Sequence, residues 1–144
     1  MQIEQHITAA IAAARAAPLS AKRAMLAALL LDAAADALFT ASGEEDILVF
    51  RARLAAGSPA LALVFALCAL RETGPRLVTE AVTVPPAGYA TLDIPDLMVS
   101  LYNNRTVQRV LIADGDTRHD VHEVLDAALS AISQSGSPSP MRGG

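Results

Sequence analysis

The sequence predicts an α+β fold, with an N-terminal layer of about four helices, a small, mainly antiparallel sheet and a C-terminal helix. Apolar residues recur every three to four positions through the first half of the chain, and the pattern changes to strand-like alternation near position 76. At 144 residues the chain is long enough to bury one core without disulfides. We therefore expect a single domain over residues 1–132 and a disordered, low-complexity tail over residues 133–144.

The first two helices are predicted from apolar spacing and from their boundary residues. Isoleucines four positions apart mark one face of a helix over residues 3–16, which Pro18 ends. Ser20 is the expected N-cap of a second helix that runs to about Thr40. Its broad apolar stripe contains Met25, Leu26, Leu29, Leu30, Ala33 and Ala37. This helix is apolar nearly all round, which indicates contacts on more than one side or an interface. The candidate interface residues are those that widen the stripe: Leu31, Leu38 and Phe39.

Two further helices are predicted from capping patterns. Ser42 followed by Glu45 resembles a capping box and predicts a third helix over about residues 43–56. Ser58 and Pro59 suit the N-cap and first position of a fourth helix. The fourth helix contains the most lipid-like run of the chain. At about 18 Å it is shorter than the roughly 30 Å hydrocarbon core of a bilayer, so we expect a buried helix and no membrane span.

The strand signals begin after the fourth helix. Residues 76–84 alternate in polarity and are rich in β-branched side chains, as in a half-buried strand. The stretch 85–96 is punctuated by proline and glycine and predicts a loop. Residues 97–102 fit either a helix or a strand. Asn103 and Asn104 suit a tight turn, which favours a hairpin with residues 106–113 as its second strand.

The densest group of functional side chains follows this last strand, at a turn over residues 114–116 and the start of the C-terminal helix. Asp116 or Thr117 is the expected cap of that helix. Imidazole and carboxylate groups at helical spacings of three and four can share a divalent metal. However, the spacing matches no established zinc motif, and acidic residues also favour a helix N-terminus for electrostatic reasons. No cofactor is therefore predicted, and a metal or ligand site is the alternative, with candidates Asp114, Asp116, His119, His122 and Glu123.

The composition of the chain limits the classes of partner that it is expected to bind. A net charge of −4 without a basic cluster, only 3% aromatic residues and no tryptophan argue against nucleic-acid binding. The single cysteine, Cys68, cannot form an intramolecular disulfide, and no secretory signal is apparent, so we expect a cytoplasmic protein. The chain also lacks a Gly-rich phosphate loop and a nucleophile elbow, which leaves no motif that indicates an enzyme.

These observations favour a non-catalytic protein that forms a homodimer or binds a protein partner, as an adaptor, a chaperone-like protein or a regulatory module. A small sheet has exposed edges, and pairing of two chains would cover them. The alternative function is a small metal-binding protein or metal-dependent enzyme that uses the cluster at residues 114–123.

Overall fold

The computed structural model describes residues 2–84, 92, 94–102 and 106–136, and it has the predicted α+β architecture. The described residues form six helices and three strands. The helices are α1 (Gln2–Ala16), α2 (Ala21–Ser42), α3 (Ile47–Gly57), α4 (Pro59–Cys68), α5 (Ile94–Tyr102) and α6 (Val121–Gly136). The strands are β1 (Arg76–Thr83), β2 (Thr106–Asp114) and β3 (Thr117–Asp120).

Helix α2 is the centre of the helical layer, because it packs against α1, α3, α4 and α6 and also touches β1. Small side chains dominate its buried face, and they let neighbouring helices approach closely. Long aliphatic side chains from α1, α4 and α6 complete the core, including Ile7, Leu61, Val64, Leu125 and Ile132. The buried residues of α2 itself are Ala24, Ala27, Ala28, Leu31, Ala34, Ala35 and Leu38.

The predicted caps of α2 and α4 are confirmed. The Ser20 hydroxyl accepts a hydrogen bond from the backbone N–H of Arg23 at 3.2 Å, and the Ser58 hydroxyl accepts one from Leu61 at 3.2 Å. Pro59 occupies the first turn of α4, where its missing N–H has no partner to lose. Local capping chemistry therefore sets where both helices begin.

The predicted start of α3 is wrong. Helix α2 continues to Ser42 and ends at Gly43, whose φ of +74° suits glycine. The Ser42 hydroxyl donates back to the carbonyl of Phe39 and accepts from the N–H of Glu44 at 3.1 Å, so its hydrogen bonds lie at the end of α2 and not at the start of α3. Asp46 is the actual N-cap of α3, and its carboxylate accepts from the N–H groups of Leu48 and Val49 at 3.0 and 3.3 Å.

The three strands form an antiparallel sheet in the order β1-β2-β3. The register pairs Leu77 with Ile112, and these two residues, together with Val110, belong to the core shared with the helices. Side chains on alternate positions of β2 point to the opposite face, and Arg109 there forms a 3.0 Å ion pair with Asp96 of α5. Helix α5 and the helical layer thus lie on opposite faces of the sheet.

Two elements differ from the sequence prediction. Residues 97–102 belong to α5 and not to a hairpin strand. Pro95 and Asp96 in its first turn favour a helix start, whereas Asn103 and Asn104 lie outside the described residues. Residues 117–120, expected to open the last helix, form β3, because Gly115 (φ +59°) permits a tight turn that folds them back on β2.

The C-terminal helix is longer than predicted, since α6 continues to Gly136 and therefore includes residues 133–136. Residues 137–144 of the predicted tail lie outside the described residues. The loop prediction for residues 85–96 overlaps α5 from Ile94 onward, and residues 85–91 and 93 also lie outside the described part.

Candidate functional site

The Asp and His cluster lies on three consecutive pieces of structure. Asp114 ends β2, Asp116 is exposed in the β2–β3 turn, and His119 lies in β3. His122 and Glu123 lie in the first turn of α6, and Glu123 is exposed. Asp120 is the cap of this helix, since its carboxylate accepts from the backbone N–H groups of both residues at 2.9 and 3.1 Å. The predicted caps, Asp116 and Thr117, are replaced by Asp120.

Strand geometry divides this cluster. Asp114 and His119 line one cavity of about 390 Å³ with residues of α4 and Pro75. Ile112 is the register partner of His119, so the imidazole lies on the sheet face that meets the helices. In the described part of the chain, no three His, Cys, Asp or Glu side chains come together in a group able to hold a metal ion. The five candidates therefore do not form one site.

His122 has a different environment. Burial lowers its pKa; the Asp120 carboxylate opposes this shift, and the positive charges of Arg15 and Arg109 reinforce it. Its Nδ1 atom is buried and has no hydrogen-bond partner. A neutral imidazole at the base of α6 is the form that this environment favours.

Cys68, the other potentially reactive side chain, is half-buried in α4. Burial raises the pKa of its thiol to about 11, with a smaller contribution from the Asp32 carboxylate. The thiolate is the nucleophilic form, so this environment suppresses reactivity at neutral pH. This agrees with a structural role for Cys68.

The structure buries two of the three candidate interface residues of α2 in the core and leaves the third partly exposed. Leu31 is fully buried and Leu38 is 8% exposed. Phe39 is half-buried, with its ring edge-on to Phe50 of α3 at 5.7 Å between centroids. Leu31 and Leu38 are therefore not available to a partner in this fold, and the interface prediction is wrong for these two residues. Phe39 keeps part of its surface accessible, and its interface role stays a prediction.

The outward face of α2 instead carries Lys22, Leu26, Leu29, Ala33 and Asp36, which we call the α2 stripe. All five residues are exposed, and Leu26 and Leu29 keep 54% and 44% of their surface accessible. Both leucines belong to the broad apolar stripe predicted for this helix, a pattern that fits either a central helix or an interface. Because α2 is apolar nearly all round, periodicity alone does not tell which face the neighbouring helices cover.

An apolar groove of about 580 Å³ runs along the first half of the α2 stripe. Leu26 and Leu29 line it together with the half-buried Met25, and Ser20, Lys22 and Arg23 form its polar end. Exposed apolar surface of this kind commonly marks a site of association. One signal in the sequence points to this surface, namely the alternating spacing of four and three residues along the stripe.

The C-terminal end of the α2 stripe is acidic and forms ion pairs with α3. The Arg51 guanidinium forms ion pairs with Asp32 and, at 3.0 Å, with Asp36. It also lies 4.2 Å from the centroid of the Phe65 ring, a cation–π contact. Two carboxylates thus share one cation, and Asp36 keeps 57% of its side chain exposed.

Within the described residues, α2 is the helix that is long and apolar enough to cross a membrane, judged by length and composition. The sequence predicts the most lipid-like run in the fourth helix, which is α4 in the structure and is shorter than α2. A core helix of a soluble protein passes the same test. The packing of α2 against four helices and a strand is that of a core helix.

The fold and this surface define an α+β protein whose central helix keeps one exposed face in the part of the chain that the structure describes. In comparison with known proteins, no family model, curated protein or solved structure matches this chain.

Proposed function

We propose that this protein is a non-catalytic binding module of the cytoplasm, either a homodimer or a partner-binding adaptor, chaperone-like or regulatory protein, that acts through the α2 stripe. One observation carries the proposal. The central helix buries seven residues in its own core and still exposes Leu26 and Leu29 beside an apolar groove. Burial of these leucines in a protein partner would be favourable at about 25 cal/mol per Å² of apolar surface.

The acidic net charge of −4 supports protein partners over nucleic acids. The lone cysteine supports a reducing compartment such as the cytoplasm. Neither the Asp and His cluster nor Cys68 supplies an activated nucleophile or a three-ligand metal centre among the described residues. A binding role therefore has the better support.

Light scattering after size-exclusion chromatography tests the proposal. The wild type should elute at a multiple of its 15.0 kDa chain mass at micromolar concentration, and Leu26→Ser combined with Leu29→Ser should shift it to the monomer mass. Leu48→Ser is the matched control, because Leu48 is 77% exposed on α3 and lies outside the α2 stripe. A wild type that stays monomeric at hundreds of micromolar would contradict the homodimeric form.

A second candidate function is capture of a divalent metal or small ligand between Asp114 and His119, and the observation that favours it is their shared cavity. A Zn²⁺-induced rise in melting temperature should then disappear in His119→Ala and persist in His122→Ala, which changes a residue outside that cavity. Equal Zn²⁺ responses in the wild type and in His119→Ala would dispose of this candidate.

A further inference from the structure

We propose that the α2 stripe binds a second copy of this chain, with the two α2 helices antiparallel about a two-fold axis close to Leu29, so that Lys22 of each copy meets Asp36 of the other. This inference rests on the proposed binding function and names the partner. Spacing, charge and side-chain size along the stripe support it independently of one another.

Spacing is the first argument. The members of the α2 stripe follow one another at intervals of four, three, four and three residues, the interval pattern of a coiled-coil seam. Leu29 is the midpoint, with Lys22 seven residues before it and Asp36 seven residues after it, or about 10 Å along the axis on either side. A two-fold axis at Leu29 therefore brings each end of one stripe to the opposite end of the other.

Charge decides the direction. Lys22 and Arg23 form no ion pair with a carboxylate in the described part of the chain, whereas Asp32 and Asp36 share the single Arg51 guanidinium. Among the described residues, the basic end thus has no carboxylate to balance its charge, although the Arg23 guanidinium donates to the carbonyl of Ala13 at 3.5 Å. The acidic end has one carboxylate more than its cation balances. Antiparallel pairing joins the two ends twice, once on each side of the axis. Parallel pairing in register would instead set Lys22 against its own copy.

The helix dipole adds to this argument. The first turn of α2 has no acidic residue but contains Lys22 and Arg23, and its last turn has no basic residue. Positive charge at a helix N-terminus is unfavourable, because the macrodipole is positive there. An antiparallel copy brings the acidic end and the negative half of its own α2 to this N-terminus, which offsets the repulsion within one chain.

Side-chain size fits the same register. Leu26 lies three residues before the midpoint and Ala33 four residues after it, so the antiparallel arrangement brings each Leu26 to within about 1.5 Å, along the axis, of the level of an alanine. Leu29 meets its own copy on the axis. Large side chains facing small ones interdigitate, and two leucines facing each other close the centre of the seam.

Charge reversal is the first test, read by sedimentation equilibrium at low salt. Lys22→Glu and Asp36→Lys should each raise the dimer dissociation constant by about tenfold, because two symmetry-related pairs become repulsive at once. The double variant restores both pairs with exchanged signs and should return close to the wild-type constant. High salt should reduce all three differences. Lys22→Glu should also keep the wild-type melting temperature of the monomer or raise it, since the new carboxylate suits the helix N-terminus.

Cysteine cross-linking is the second test, in a Cys68→Ala background. Leu29→Cys should form a disulfide-linked dimer under mild oxidation, because a residue on the two-fold axis lies close to its own copy. Thr40→Cys is the matched control: Thr40 is exposed and continues the same face. It would lie about 33 Å from its copy in an antiparallel pair and next to it in a parallel one. Only Leu29→Cys should cross-link.

The outcomes separate this inference from the function on which it rests. Suppose that the dimer dissociates in the leucine double variant, but that charge exchange does not rescue it and position 29 does not cross-link. The binding function then stands, and the antiparallel pairing is wrong. A strictly monomeric wild type overturns both. Flotation of the wild type with anionic phospholipid vesicles, abolished by Leu26→Ser with Leu29→Ser, would identify a membrane as the occupant and would also overturn the pairing.

Discussion

Helices α2 and α6 show two ways in which a helix can fill a core. Helix α6 buries one stripe and turns polar residues such as Glu123, Asp126 and Ser130 to solvent. Its buried residues include Val121, Val124, Leu125, Ala128 and Ile132. Helix α2 buries a comparable stripe but also exposes Leu26 and Leu29 on its outward face, between Lys22 and Asp36. An amphipathic helix buries its apolar stripe in one core. A helix that carries apolar residues on further faces keeps some of them exposed, where a partner can bury them.

The largest predicted effect on stability distinguishes the buried leucines of these two helices from the exposed ones. Leu31→Ala in α2 and Leu125→Ala in α6 should each lower the free energy of unfolding by about 2–5 kcal/mol, because both residues are fully buried and their truncation leaves a cavity. Leu29→Ala should lower it by less than about 1 kcal/mol in the monomer, since this residue is 44% exposed. Urea denaturation followed by circular dichroism measures all three values.

Protein concentration serves as the control in this experiment. If Leu29 lies in a dimer interface, the apparent stability of the wild type rises with concentration and that of Leu29→Ala does not. A Leu29→Ala variant that loses as much stability as Leu31→Ala at low concentration would show that the outward face of α2 is part of the core.

A smaller effect is expected from the ion pairs of the two helices. Arg51→Met should lower the free energy of unfolding by about 1–3 kcal/mol, because it leaves the partly buried Asp32 carboxylate without its cation and removes the contact with Phe65. Arg15→Met breaks the ion pair with Asp126 of α6, whose side chains are about half exposed, and should change stability by at most about 1 kcal/mol. If Arg51→Met and Arg15→Met lower the free energy of unfolding by the same amount, in thermal and in urea denaturation, this ranking is wrong.

The smallest effect concerns pH at the start of α6. Burial lowers the pKa of folded His122 below the unfolded value of about 6.5, so the unfolded state binds more protons between the two pKa values. Stability should therefore be complete above about pH 6.5 and decline as the pH falls through the folded pKa. His122→Gln should decline less over this interval.

Two measurements sharpen the pH prediction. The His122 imidazole should titrate below about 6.5 when followed by NMR, and a higher midpoint would contradict the assignment. Asp120→Asn keeps a side-chain oxygen for the cap but removes the charge that favours the imidazolium, so it should make the acid-induced loss of stability steeper than in the wild type.

Local chemistry explains which elements were predictable. The caps Ser20 and Ser58 act on the nearest N–H groups, and the alternation over residues 76–83 reports a strand that is half-buried in its own sheet. The start of α3 was not predictable, because Ser42 and Asp46 are both good caps and only the continuation of α2 to Gly43 decides between them. Residues 97–102 were ambiguous because a helical and a strand pattern overlap there.

The candidate site was less predictable than the fold. His119 and His122 are neighbours in a helical reading, but the turn at Gly115 makes one a strand residue and the other a helix residue, which places them in separate environments. Leu26 and Leu31 have the same hydrophobicity in sequence, yet one is exposed and the other fully buried. Both distinctions depend on contacts between elements that are distant along the chain.

The sequence by itself determined the α+β class, the helical first half, the beginnings of α2 and α4, and the alternating strands, because hydrophobic period and capping are properties of a few adjacent residues. Only the tertiary structure decided which face of α2 is buried and how the Asp and His cluster divides. The physical reason is that leucines and alanines occur on nearly every side of α2, so hydrophobic period alone does not tell which of them the neighbouring helices cover. The packing of α1, α3, α4 and α6 around α2 selects one rotation and leaves Leu26 and Leu29 in solvent.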